Sequence, residues 1–162
     1  MAPNTTGRTT YKWTNFIVMP FGGTLRAIPV NSISACGLTY DEADVTAWQD
    51  AIKGVLPTMP SAPIDISGPF DISATAAVPA ISGSHTVLAS LVGGVTPLTI
   101  DIQIGMRHAW EATEPQFGIT SSAVNGYLCT KYQVDTAAGT YSAHFDLIAG
   151  SIAPAFGTAA EA

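Results

Sequence analysis

Leu98, Ile100, Ile102, Ile104 and Met106 alternate with Thr99, Asp101, Gln103 and Gly105. Successive side chains of a strand point to opposite faces, so this pattern puts the apolar set on one side of a pleated backbone. The same spacing on a helix would scatter it around the circumference. A half-buried strand is therefore expected over 98–106, and the rest of the chain must supply partners for it.

Those partners are legible. Tyr141, Ala143, Phe145 and Leu147 alternate with Ser142, His144 and Asp146. The segment 127–134 is rich in β-formers and is expected to carry Leu128, Thr130, Tyr132 and Val134 on one face. Residues 135–139 join these two segments as a hairpin. Segments 13–19 and 25–30 flank Pro20–Gly23, which predicts another hairpin. Segment 64–72 reads as a strand interrupted by Gly68-Pro69, which places it at an edge or a bulge. One short helix is expected, with Ser84 as cap, Val87, Leu88, Leu91 and Val92 at helical spacing, and Gly93-Gly94 as stop. Residues 47–55 offer a further helical turn or two. The predicted class is mainly β, an antiparallel sandwich or barrel of about seven strands with one short helix and a long loop.

The loop is the stretch 37–63. Connections of this length are uncommon in compact domains and tend to be functional or disordered. It holds Asp41, Glu42 and Asp44, yet also Trp48, Ile52, Val55, Leu56 and Met59. A solvated loop rarely carries so many large apolar groups. Either they fold back on their own domain, or they anchor another subunit. Residues 1–11 and 157–162 read as terminal arms around one domain, 12–156.

Composition sharpens that choice. Charged residues make up 11% of the chain, against about 25% in an ordinary globular domain. So few charges fit either a neutral Ser/Thr/Asn-rich surface or a surface covered by copies of the same chain. The net charge of −6 argues against a nucleic-acid clamp, which needs a basic face, and against docking on anionic lipid. It does not argue against a surface that DNA slides past, which should repel phosphate. Residues 1–11 are polar and lack the apolar core of a signal peptide, and no run approaches a membrane span. Cys36 and Cys129 have no metal-ligand or redox spacing and are expected to be free, buried and apolar in character.

A search for catalytic or ligand-binding chemistry returns no motif. His85, His108 and His144 form no HxxxH or HxxE pair, no GxSxG elbow is present, and Gly22-Gly23 and Gly93-Gly94 read as turns. Asp41, Glu42 and Asp44 miss the calcium-loop spacing. No metal, cofactor or catalytic residue is expected, and the chain reads as a structural protein and not an enzyme.

The order of features resembles the tail tube (major tail) proteins of siphophages. Asp44-Val45-Thr46 is followed by a small linker, then Ile66-Ser67-Gly68-Pro69-Phe70, the helix at 85–94, the strand at 98–106 and a closing strand with a Gly ending at 140–154. The likeness spans about residues 12–156. It implies a β-sandwich that forms hexameric rings stacked into a hollow tube, with the chain as its own main partner. Tape-measure and tail-terminator or tip proteins would be further partners, and genomic DNA would transit without specific binding. It implies a location in the virion tail after synthesis in the host cytoplasm. By position, residues 37–63 would reach a neighbouring ring, with Trp48, Ile52, Leu56 and Met59 as anchors. Asp71, Asp101 and Asp146, on polar faces of predicted strands, are the lumen-facing acidic candidates. A capsid decoration or head–tail joining protein fits the same composition. A small carbohydrate-binding module is a third reading, with Trp13, Trp48, Trp110 and Tyr127 as its stacking platform.

Overall fold

The structure, a computed structural model, describes residues 14–34, 36–49, 51–78, 80–104 and 115–157. Its elements run β1 (Thr14–Pro20), β2 (Arg26–Ile28), β3 (Ser32–Ser34), β4 (Thr39–Asp44), β5 (Val55–Ser61), β6 (Ile64–Pro69), α1 (Ser84–Leu91), β7 (Leu98–Ile104), β8 (Gln116–Ile119), β9 (Tyr127–Asp135), β10 (Thr140–Leu147) and β11 (Ala155–Gly157). The mainly antiparallel β class with a single short helix holds among the described residues.

Nine strands form one hydrogen-bonded sheet that doubles over on itself. One half runs β11-β8-β7-β1-β2, the other β9-β10-β6-β3, and a single pair, Leu98 with Tyr127, joins them. The core lies between the halves. Phe16, Val18, Leu98, Ile100, Ile102, Phe117 and Ile119 come from one side, and Ile64, Ile66, Cys129, Ala143 and Phe145 from the other. Phe16 meets Phe145 across the gap, with ring centroids 5.6 Å apart. Each such side chain contributes roughly 1.5–3 kcal/mol on full burial. Val87 and Leu88 of α1 join the same cluster.

Two buried tyrosines keep their polar ends satisfied. Tyr127 donates to the Ala62 carbonyl at 2.9 Å and Tyr141 to the Pro29 carbonyl at 2.7 Å. Burial pushes both phenols well up from their ordinary range. Both cysteines are free; Cys129 is buried, its thiol pushed up to about 11, whereas Cys36 is half-buried.

Several expectations change. β7 is not half-buried: Thr99, Asp101 and Gln103 are as enclosed as the apolar set. Met106 lies outside the described residues, as do Trp13 and the first residues of the chain. β9 does not keep one face, because a register shift opposite His144 and Phe145 inserts an extra residue. Leu128 pairs with outward Asp146, whereas Tyr132 pairs with inward Ala143. β6 is neither an edge nor bulged, since β10 flanks it along its length and β3 covers Asp65 to Ser67. Pro69 is tolerated as its last residue, past the end of β3. Ser84 does not cap α1; Gly83 holds the cap position without a side-chain bond. The Ser84 hydroxyl instead donates to the Pro69 carbonyl and accepts from the Asp71 amide, tying the helix to the end of β6. Gly93 ends the helix at φ +72° and donates its amide to the Cys129 carbonyl.

Candidate functional site

The stretch expected as an irregular loop is a β-hairpin. β4 and β5 pair with each other in a two-stranded sheet of their own. Their sequence hid this, because Pro57 and Pro60 sit within β5 and Asp41, Glu42 and Asp44 within β4, all poor strand residues. Among the described residues β5 has β4 as its one strand neighbour, and an edge strand of this kind is where proline is tolerated. Thr58 donates to the Asp41 carbonyl at 3.0 Å where the register shifts between Tyr40 and Glu42. Among the described residues the helical turns expected at 47–55 do not form; residues 45–49 and 51–54 make the tip and Val55 begins β5.

Side chains organise that tip. The Asp44 carboxylate accepts the Thr46 amide at 3.0 Å, the Thr46 hydroxyl accepts the Gly54 amide at 2.9 Å, and the Val45 amide reaches the Gly54 carbonyl. Lys53 Nζ lies 3.5 Å from Asp44. The Thr46 hydrogen bonds hold the Asp44 carboxyl below the usual range. At the base, Cys36, Leu38 and Ala62 pack on the core, and the Tyr127 hydroxyl grips the Ala62 carbonyl. The hairpin thus has an anchored root and an ordered tip.

The large apolar residues of its strands and tip are exposed. Trp48 is fully exposed, Ile52 and Met59 are 83% exposed and Leu56 is 56% exposed. Tyr40, Val45 and Val55 are exposed beside them. Among the described residues these side chains are not buried against their own domain.

The second candidate surface is the outer face of β9-β10-β6-β3. Register places Ser32 and Ser34 of β3, Asp65 and Ser67 of β6, Ser142, His144 and Asp146 of β10, and Lys131, Gln133 and Asp135 of β9 on it. Hydroxyls, amides and charges cover it, with Leu128 at one margin. The alternation in 141–147 already put His144 and Asp146 on one side. That Asp65 stands beside them depended on pairing register, which the sequence does not carry.

The three acidic candidates separate. Asp146 is exposed on this face, where its carboxylate accepts from the Thr130 hydroxyl at 3.0 Å. Asp71 is half-buried just beyond β6, and its carboxylate accepts the amide and hydroxyl of Ser73, which holds its carboxyl below the usual range. Asp101 is 0% exposed. The solvated face expected for it does not exist, because its side of β7 is enclosed together with Ile17 of β1.

Among the described residues no three His, Cys, Asp or Glu side chains are grouped to hold a metal ion. His85 Nδ1 lies 3.0 Å from the Tyr132 hydroxyl, with the His85 ring against Phe70; His108 lies outside the described residues. Trp48 and Tyr127 share no stacking platform, one being fully exposed and the other buried, and Trp13 and Trp110 lie outside the described residues. No described helix is long and apolar enough to cross a membrane.

This doubled sheet with a projecting hairpin is a phage-tail-like fold. It is similar to the tube-terminating cap of the anti-feeding prophage, with a TM-score of 0.58 and 12% identity over 98% of this chain and 95% of that chain. It is similar also to the sheath/tube terminator of an extracellular contractile injection system, PVC, in the extended state (TM-score 0.53, 14% identity, 98% and 99% covered). A chain of the PVC sheath–tube complex gives a TM-score of 0.55 at 13% identity, with 97% and 99% covered. No family model and no curated protein matches the chain. The likeness therefore lies in the fold, along nearly the whole length of each partner.

Proposed function

We propose that this protein is a structural, non-enzymatic subunit of a phage-tail-like tube, assembled from copies of itself in stacked rings. The observation that carries this is the hairpin: an anchored root, an ordered tip, and Trp48, Ile52, Leu56 and Met59 left in water. Large apolar groups held out on a rigid arm are costly for a lone subunit and favourable once a neighbour covers them. The solved structures that share the fold come from tube terminators and a sheath–tube complex, which supports a place in such a particle. In this reading the polar face of β9-β10-β6-β3 turns towards the bore. Asp146, with Asp65 and Asp135, outweighs Lys131 there, so passing DNA is repelled. Asp101 is enclosed within the subunit and drops out of that role. Hexameric rings, a tape-measure partner and a virion location extend the proposal by the sequence resemblance.

A tube terminator is the second reading, favoured by the first two structures being terminators. Negative-stain microscopy of the purified protein decides. A tube subunit gives long tubes, a terminator gives rings that do not extend, and a decoration protein stays compact. Trp48→Ser combined with Met59→Ser is expected to abolish assembly while the unfolding midpoint stays unchanged. Wild-type protein that remains single at high concentration overturns both tail readings.

A further inference from the structure

On the polar face, the ring of His144 lies between two carboxylates. Nδ1 is 2.6 Å from Asp65 Oδ1 on β6, and Nε2 is 3.1 Å from Asp146 Oδ1 on β10. A neutral imidazole carries one N–H, so in that form one carboxylate would face a ring lone pair. Only the imidazolium donates to both. The Thr130 hydroxyl, at the β9 register shift, holds the other oxygen of Asp146 at 3.0 Å. Because the carboxylates meet opposite ring nitrogens, the three groups do not converge on a point where a cation would sit.

We propose that Asp65, His144 and Asp146 form a proton-operated strap across β6 and β10. With the ring doubly protonated, both carboxylates are held and the trio carries a net charge of about −1, the sum of the ordinary side-chain charges. When the ring loses a proton, one carboxylate is released and the trio carries about −2.

The surroundings favour the protonated ring. The hydrogen bond to Asp65 is the main cause holding His144 above its ordinary value; desolvation opposes it, and the charges of Asp146 and Asp65 add to it. Lys131 of β9 is the register partner of His144 and works against the imidazolium. Asp135 stands at the far end of β9, and β3 presents only Ser32 and Ser34. The folded-state value is raised, so the strap's contribution is complete below the ordinary histidine value of about 6.5 and is lost as pH rises through the raised value. The ring is 28% exposed and the carboxylates are about half exposed, so salt weakens the strap. The inference concerns a single subunit and holds whether or not the tail reading does.

The test is the ring nitrogen spectrum of His144, followed through a pH titration of the full chain, in solution or under magic-angle spinning, with H144Q assigning the signal. Both ring nitrogens are expected to be protonated in mildly acid conditions, with the midpoint above that of a free histidine. Asp65→Asn should lower the midpoint most, Asp146→Asn less, and Lys131→Gln should raise it. A midpoint at the ordinary value, unmoved in every variant, overturns the proposal. Movement by only one carboxylate also overturns it, leaving an ordinary two-residue pair. Circular dichroism of each variant confirms that the sheet is intact, and since all three positions lie on the outer face, folding is expected to survive.

Discussion

β5 and β7 are strands of seven residues each with opposite fates. β7, Leu-Thr-Ile-Asp-Ile-Gln-Ile, has every second position polar, yet six of its seven residues are buried. β5, Val-Leu-Pro-Thr-Met-Pro-Ser, holds three large apolar residues, yet all seven are exposed. Composition alone does not predict so wide a gap, since β7 holds four large apolar residues and β5 three. The difference is one of neighbours. β7 pairs with β1 and β8, touches β9, and is covered on both faces. Among the described residues β5 pairs with β4 alone, and all of its residues are exposed. Burial here is a property of the stack a strand belongs to, and a strand outside the stack leaves its apolar residues exposed.

The largest effects should fall on the stacked strand. Ile100→Ala removes a fully enclosed side chain and is expected to cost about 2–5 kcal/mol, the range for such cavities. Leu56→Ala on the hairpin should stay within about 0.5 kcal/mol, as exposed positions do. Urea denaturation of the two variants side by side measures the contrast, and equal losses would break it.

Next comes the contact between the layered body and the strand beside the hairpin. A methyl group at Gly68 would come within 2.5 Å of the Pro29 carbonyl and 3.0 Å of the Tyr141 ring. Gly68→Ala must push apart the Tyr141–Pro29 hydrogen bond and is expected to cost about 1–3 kcal/mol, typical of overpacking. A midpoint unchanged from wild type would mean that β6 has more room than the stack implies.

The smallest effect is local. Asp44→Ala removes the acceptor for the Thr46 amide. Hydrogen exchange at Thr46 is expected to speed up, with global stability unaltered. Acid should do the same. The Asp44 carboxyl sits below its ordinary value, so the tip is fully ordered above that value and loosens as pH falls through the lowered one. Thr46 exchange that ignores both the substitution and acid would show that the tip is ordered by its backbone alone.

The sheet body was largely legible because its strands alternate. Residues 140–147 alternate and stand where the pattern puts them, whereas 127–135 and 14–20 are extended as expected without keeping a strict alternation. The hairpin was legible only as a conspicuous apolar loop. Its prolines and acids suppress the strand signal, and a strand that faces water on both sides needs no alternation. The strap of Asp65, His144 and Asp146 was half legible: two members share a strand, whereas the third arrives by register from a strand 79 residues away from His144.

By itself, the sequence determined that 14–20, 98–104, 127–135 and 140–147 are extended and that turns separate them, because extended β-former runs and Gly/Pro punctuation are local consequences of backbone sterics. It also determined that the chain carries more apolar residues than charges to shield them. Only the tertiary structure decided that Asp101 is enclosed, that Trp48 stands in water and that His144 meets two carboxylates. Each of those facts depends on which strand lies next to which, and long-range pairing is fixed by the joint packing of all the strands and not by any one of them.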